Sequence, residues 1–139
     1  MPDSYQRIRL LKDCPCGSGR NYGECCHPYH KGKAYPETAE QLMRSRYCAY
    51  FFRLTDYLVS THHPDTRDKN LRDKLEEEIY DLNWVGLRII NSSKGQADDK
   101  TGKVEFSAGY FYLNEKLDLH EKSRFRRFKG KWKYLDAKG

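Results

Sequence analysis

Apolar positions recur along the chain with two different periods, and the change of period divides it. Leu42, Met43, Arg46, Tyr47, Tyr50 and Phe51 return every three or four residues, the spacing of one helix face. Thr38 and Gln41 stand at capping-box spacing just ahead of them, so a helix is predicted from there to about Phe52. Thr55-Asp56-Tyr57-Leu58-Val59 predicts a second, short helix with Thr55 at its cap, stopped by His62-His63-Pro64 because a residue before proline disfavours helical backbone. Leu71, Leu75, Ile79 and Leu82 predict a third, amphipathic helix whose Arg72, Lys74, Glu76, Glu77 and Glu78 form a solvated face.

From Trp84 the period falls to two. Trp84–Ile90 reads as a strand, 91–103 as a long polar turn, and Val104–Tyr112 as a strand with Val104, Phe106, Ala108, Tyr110 and Tyr112 on one face. Leu117–Phe128 makes the next strand, Gly130 a tight turn, and Trp132–Leu135 closes a meander. Three helices followed by an antiparallel sheet define an α+β fold. Residues 1–13 read as a leader that lies against the body rather than as an element of its own.

The periodic pattern leaves out Cys14-Pro15-Cys16-Gly17-Ser18-Gly19-Arg20-Asn21-Tyr22-Gly23-Glu24-Cys25-Cys26-His27, which holds four of the five cysteines. Cys-x-Cys and Cys-Cys spacing suits a tetrahedral soft-metal site, and Gly17 and Gly19 can take the positive-φ turns that wrap a short loop around an ion. Two disulfides would need an oxidising compartment. Met1–Asp13 has no apolar run like a secretory signal, and adjacent cysteines pair only with strain. One structural Zn²⁺ on Cys14, Cys16, Cys25 and Cys26 is the simplest closed site, with His27 in place of Cys26 as the alternative, and the cytoplasm is the expected compartment. Cys48 reads as a helix residue packed against the body, with no metal role. A closed site has no vacancy for catalytic water, so the metal is expected to hold the fold.

Composition refines this picture without changing it. The formal charge is +6, and four thiolates with one Zn²⁺ bring it to about +4, a bias that permits an acidic protein or a nucleic acid as partner. No recognised RNA-binding motif supports the nucleic acid, and no apolar segment is long enough to span a bilayer. No Ser-His-Asp, Cys-His or paired-carboxylate set can be assembled from the spacing. Arg44 and Arg46, two apart on a helix, face different ways and cannot form one clamp.

The cysteine loop resembles the SEC-C motif, the zinc module found at the carboxyl end of the SecA ATPase, through Cys-Pro-Cys-Gly-Ser-Gly, Tyr22 and Cys25-Cys26. The whole chain is similar to the bacterial YchJ family, through Glu40–Tyr47, Asp56-Tyr57-Leu58, His63-Pro64, Trp84, Gly86-Leu87, Val104-Glu105-Phe106 and His120–Phe125. That resemblance implies residues 1–33 as leader and SEC-C motif. It implies residues 34–139 as a nuclear-transport-factor-2-like domain, a cone of helices in a curved sheet with a cavity at its open end. His63, Trp84, Tyr110, His120 and Arg124 are the residues assigned to that cavity. His120, Lys122, Arg124 and Arg126 share one strand face, which either lines the cavity and holds an anion or faces solvent. His62 and His63 are either proton carriers at the cavity mouth or turn-packing residues. The function expected first is a zinc-bearing interaction or adaptor module that docks a protein partner through the loop. A small-molecule anion binder or enzyme using the cavity comes second, and nucleic-acid binding third.

Overall fold

The computed structural model describes residues 9–138, so the first eight residues of the expected leader lie outside the described residues. Of the rest of that leader, Leu10 packs against the core and the Arg9 guanidinium lies 4.8 Å from the centre of the Phe52 ring. The elements that follow are a 3₁₀ turn at Tyr22–Glu24, then α1 (His27–His30), α2 (Ala39–Phe52), α3 (Thr55–Ser60) and α4 (Leu71–Glu78). Strands β1 (Asn83–Lys94), β2 (Thr101–Tyr112), β3 (Glu115–Phe128) and β4 (Lys131–Lys138) complete the chain.

α2 starts where the capping box places it. Thr38 Oγ1 accepts the Gln41 amide at 3.1 Å, and Gln41 Oε1 accepts the Thr38 amide in return. It ends at Arg53, which turns left-handed at φ 60°. α3 begins at Thr55, but Leu54 occupies the cap position and no side chain caps the helix, so Thr55 is not the expected N-cap. The single turn α1, with Pro28 in its first turn, is not among the three helices that the apolar periodicity predicts.

The sheet is an antiparallel meander in the order β1-β2-β3-β4. The stretch 91–103 is not one long turn. β1 continues to Lys94 and β2 resumes at Thr101, with Ser92 opposite Val104 and Lys94 opposite Gly102. The sequence hides this because β1 is an edge strand whose last four residues are exposed, so no apolar alternation marks them. Register shifts at Trp84/Gly86, Ile89/Asn91 and Arg124/Phe125 bend the strands. The result is a curved sheet with helices on its concave side.

α2 fills that concavity. Leu42, Met43, Tyr47 and Cys48 pack with Val104, Phe106, Ala108, Phe125 and Trp132. The same cluster contains Cys14, Cys16, Tyr22 and Cys26, so the cysteine loop and the α+β body share one continuous core. Trp132 Nε1 donates to the Glu37 carbonyl at 2.9 Å, fastening β4 to the entry of α2. No helix among the described residues is long and apolar enough to cross a membrane.

Candidate metal centre and cavity

The cysteine loop closes on itself before it meets anything else. An Asp13–Asn21 bridge frames it, the Cys14 amide donates to the Arg20 carbonyl at 2.8 Å, and the Tyr22 amide donates to the Lys12 carbonyl at 2.9 Å. Gly17 (φ 80°) and Gly19 (φ 87°) take left-handed turns between the two cysteine pairs. The sulfurs of Cys14, Cys16, Cys25 and Cys26 consequently lie within 4.8 Å of one another. Cys16–Cys25 is 3.6 Å and Cys25–Cys26 is 3.9 Å. Four sulfurs each 2.3 Å from a tetrahedral ion stand about 3.8 Å apart, so the spacing is that of a metal-ligand set. The donor chemistry fits a soft divalent cation.

His27 lies edge-on to Tyr22, with ring centres 5.3 Å apart, and is not in the sulfur group. Cys48 is fully buried in α2, and its Sγ lies 3.4 Å from that of Cys14. Hydrogen bonds with Cys14, Cys26 and Cys48 draw Cys16 strongly toward the thiolate, while those with Cys14, Cys16 and Cys48 hold Cys26 toward the thiol. Thiols this crowded cannot all ionise unless a cation lies among them.

Two contacts lock the loop onto α2. Arg44 Nη1 donates to the Cys16 carbonyl at 2.7 Å while its Nε donates to Glu40 at 3.1 Å. His30 Nε2 donates to the Ser45 carbonyl at 2.8 Å, which leaves Nδ1 to accept the Tyr22 hydroxyl at 2.6 Å. That arrangement requires a neutral ring, and burial lowers the His30 pKa from 6.5 to about 4. Between those values the unfolded chain takes up a proton that the folded chain refuses. Stability is therefore full above pH 6.5 and falls as the pH drops toward 4, by up to about 3 kcal/mol from this residue. Urea titrations from pH 7 to 5 are expected to show that fall, and His30→Gln is expected to flatten it.

A cavity of about 430 Å³ opens between α2, α4 and the sheet. Trp84 and Tyr110 line it, their rings 5.0 Å apart, with Leu75, Ile79, Phe106 and Leu119 among its apolar walls. The other residues assigned to it lie elsewhere. Strand parity turns Leu119, Glu121 and Ser123 inward and sends His120 and Arg124 to the outer face. There His120 Nε2 meets Glu105 at 2.6 Å and Arg124 Nε meets Asp136 at 2.6 Å, so the basic face is a solvent-facing ladder of ion pairs. His63 is a turn-packing residue: its amide donates to the Tyr134 carbonyl at 2.7 Å, and its Nδ1 accepts the Asp65 amide. His62, not His63, reaches the cavity. Arg46 and Glu121 also line it. The sequence places Arg46 on a helix face and excludes a clamp with Arg44, although an arginine in the apolar stripe of α2 is a signal for the cavity.

A cysteine loop of this geometry on a cone of helices and a curved antiparallel sheet defines a class: a SEC-C motif joined to an NTF2-like domain. Residues 12–28 match the SEC-C motif, and residues 38–137 match the family described as YchJ, middle NTF2-like domain. The chain belongs to this YchJ-like family, whose curated relatives carry the name UPF0225. It is 41% identical to the UPF0225 protein of Photorhabdus laumondii over 126 residues, covering 89% of this chain and 79% of that one. It is 42% identical to that of Streptomyces coelicolor over 124 residues, covering 89% and 93%. The solution structure of a SEC-C motif containing protein from Rhodopseudomonas palustris superposes with a TM-score of 0.84 at 32% identity, over 92% of this chain and 98% of that one. A crystal structure of a SEC-C motif containing protein from Psychrobacter arcticus gives 0.80 at 27%, over 93% and 83%.

Proposed function

We propose that this protein is a zinc-stabilised interaction module, in which Cys14, Cys16, Cys25 and Cys26 hold one structural Zn²⁺ and the loop docks an acidic protein partner in the cytoplasm. The observation that carries this reading is the closed group of four sulfurs, all within 4.8 Å of one another. Four thiolates fill tetrahedral zinc and leave no position for substrate or water, so the ion shapes a surface rather than performing chemistry. Five free cysteines suit a reducing compartment.

The exposed charged side chains around the cysteine loop are mostly basic. Lys12, Arg20, Lys31 and Lys33 are exposed around the loop, against Asp13 and Glu24. Residues 1–33 act as the docking piece and residues 34–139 as its scaffold.

Elemental analysis of protein purified without chelator is expected to find about one zinc per chain, and finding no metal would overturn the reading. Arg20→Glu combined with Lys31→Glu and Lys33→Glu is expected to leave the melt unchanged, because all three are exposed, while abolishing salt-sensitive co-purification of the partner. Undiminished recovery with the reversed charges would place docking elsewhere.

A further inference from the structure

The ion pairs of this protein are distributed in an unexpected way. Arg72, Arg124 and Arg126, all substantially exposed, each meet an aspartate, and the part-buried Arg44 meets Glu40. Arg46 is only 5% exposed, and among the described residues no carboxylate pairs with it. Its Nη1 donates to the Leu58 carbonyl at 3.0 Å and Thr61 Oγ1 at 2.6 Å, its guanidinium lies 4.6 Å from the centre of the Tyr134 ring, and Tyr50 and Tyr57 are further polar neighbours. All of these are neutral acceptors or π faces. A guanidinium does not give up its proton, so a full positive charge is held away from water without a counter-charge.

The cavity that Arg46 lines contains a second unmatched group. Glu121 faces the same space from β3, burial raises its carboxyl pKa, and among the described residues it has no hydrogen-bond or ion-pair partner. The two groups do not pair with each other. The lining they share also holds Trp84, Tyr110, Phe106, Leu75 and Ile79, with Glu78 as a further carboxylate. His62 adds no charge at neutral pH, since burial and the Arg46 and Arg67 cations lower its pKa to about 4.

We infer that the cavity binds a small aromatic carboxylate bearing a hydrogen-bond donor at its far end, its carboxylate on Arg46, its ring against Trp84 and Tyr110, and its donor toward Glu121. A planar guanidinium matches a carboxylate, and burial around the pair strengthens the match. The volume of about 430 Å³ accommodates such a molecule of about a dozen heavy atoms.

The test uses the full chain and 3-(4-hydroxyphenyl)propanoate as probe, with its neutral amide and 3-phenylpropanoate for comparison. Calorimetry is expected to show the hydroxylated acid binding at least about tenfold more tightly than the amide, with 3-phenylpropanoate between them. Intermolecular NOEs should connect the probe ring with Trp84 and Tyr110, a readout that needs no variant. Arg46→Met is expected to erase the preference for acid over amide. Should that variant fail to fold, the acid-against-amide comparison on the unmodified chain decides by itself. No binding of the acid at millimolar concentration, equal affinity for its amide, or NOEs to other residues overturns the inference.

Discussion

Cys16→Ser is expected to abolish metal retention and lower the melting temperature by on the order of 15 °C, the largest effect of any single substitution in this chain. Cys16 is fully buried, and the clustered sulfurs surround it. A structural metal site supplies folding free energy directly, so with the ion proposed above, losing one ligand forfeits most of that contribution, roughly 5 kcal/mol. The damage is not confined to the loop. Cys14, Cys16, Tyr22 and Cys26 cover Leu42 and Cys48 of α2 within one core, so an unravelled loop exposes the helix that fills the sheet. Circular dichroism of the variant should therefore lose helical signal beyond residue 33, and chelation of the unmodified protein should reproduce it. Cys48→Ala separates ligation from packing. It is expected to retain the metal and cost about 1 kcal/mol, because only a buried sulfur is removed. Full metal retention by Cys16→Ser would remove the ligand assignment.

Gly102→Val is expected to destabilise by about 3 kcal/mol or more, read as a lower urea midpoint with an unchanged slope. A Cβ at position 102 would stand 2.4 Å from the Gly95 Cα, 2.8 Å from its nitrogen and 3.2 Å from the Ala39 Cβ. Those obstacles are mostly backbone and cannot rotate away. The turn between β1 and β2 is pressed against the first residue of α2, where the Ala39 amide donates to the Gly95 carbonyl at 2.8 Å. Separating them breaks that bond and withdraws the hairpin from the helix entry. Gly109→Ala is the control, because its new Cβ meets only the end of the flexible Lys116 side chain and Asp118. A change within about 0.5 kcal/mol is expected there. If both variants melt alike, close backbone approach is not what requires glycine at position 102.

The parts of this fold that the sequence displayed are those where one local signal sufficed. Thr38 and Gln41 start α2 through a reciprocal pair of hydrogen bonds three residues apart. Strand parity along 119–125 separates the buried Ser123 and Phe125 from His120 and Lys122, and the cysteine spacing brings its four sulfurs together. What stayed hidden depends on long-range geometry. The far end of β1 has no apolar alternation because it is an exposed edge, so its pairing with Gly102–Val104 leaves no trace in composition. Parity alone divides β3 into two faces without saying which one meets α2, so the cationic face and the cavity face were equally legible as the lining. Arg46 was masked by its place in an apolar stripe, since one charged residue among Leu42, Met43 and Tyr47 reads as a stripe boundary until the opposing sheet encloses it.

The fastening of Trp132 to Glu37 spans 95 residues, and it has a consequence for how the molecule is made. At a synthesis rate of about 5–20 residues per second, Cys26 is made roughly 5–20 s before Trp132 exists to cover the same core. All four clustered sulfurs lie within thirteen residues of one another, so the nascent chain holds a complete donor set long before it holds the body that buries it. An ion held by these sulfurs, as proposed above, would then be captured during translation and would serve as the first fixed point on which the later helix and strands assemble.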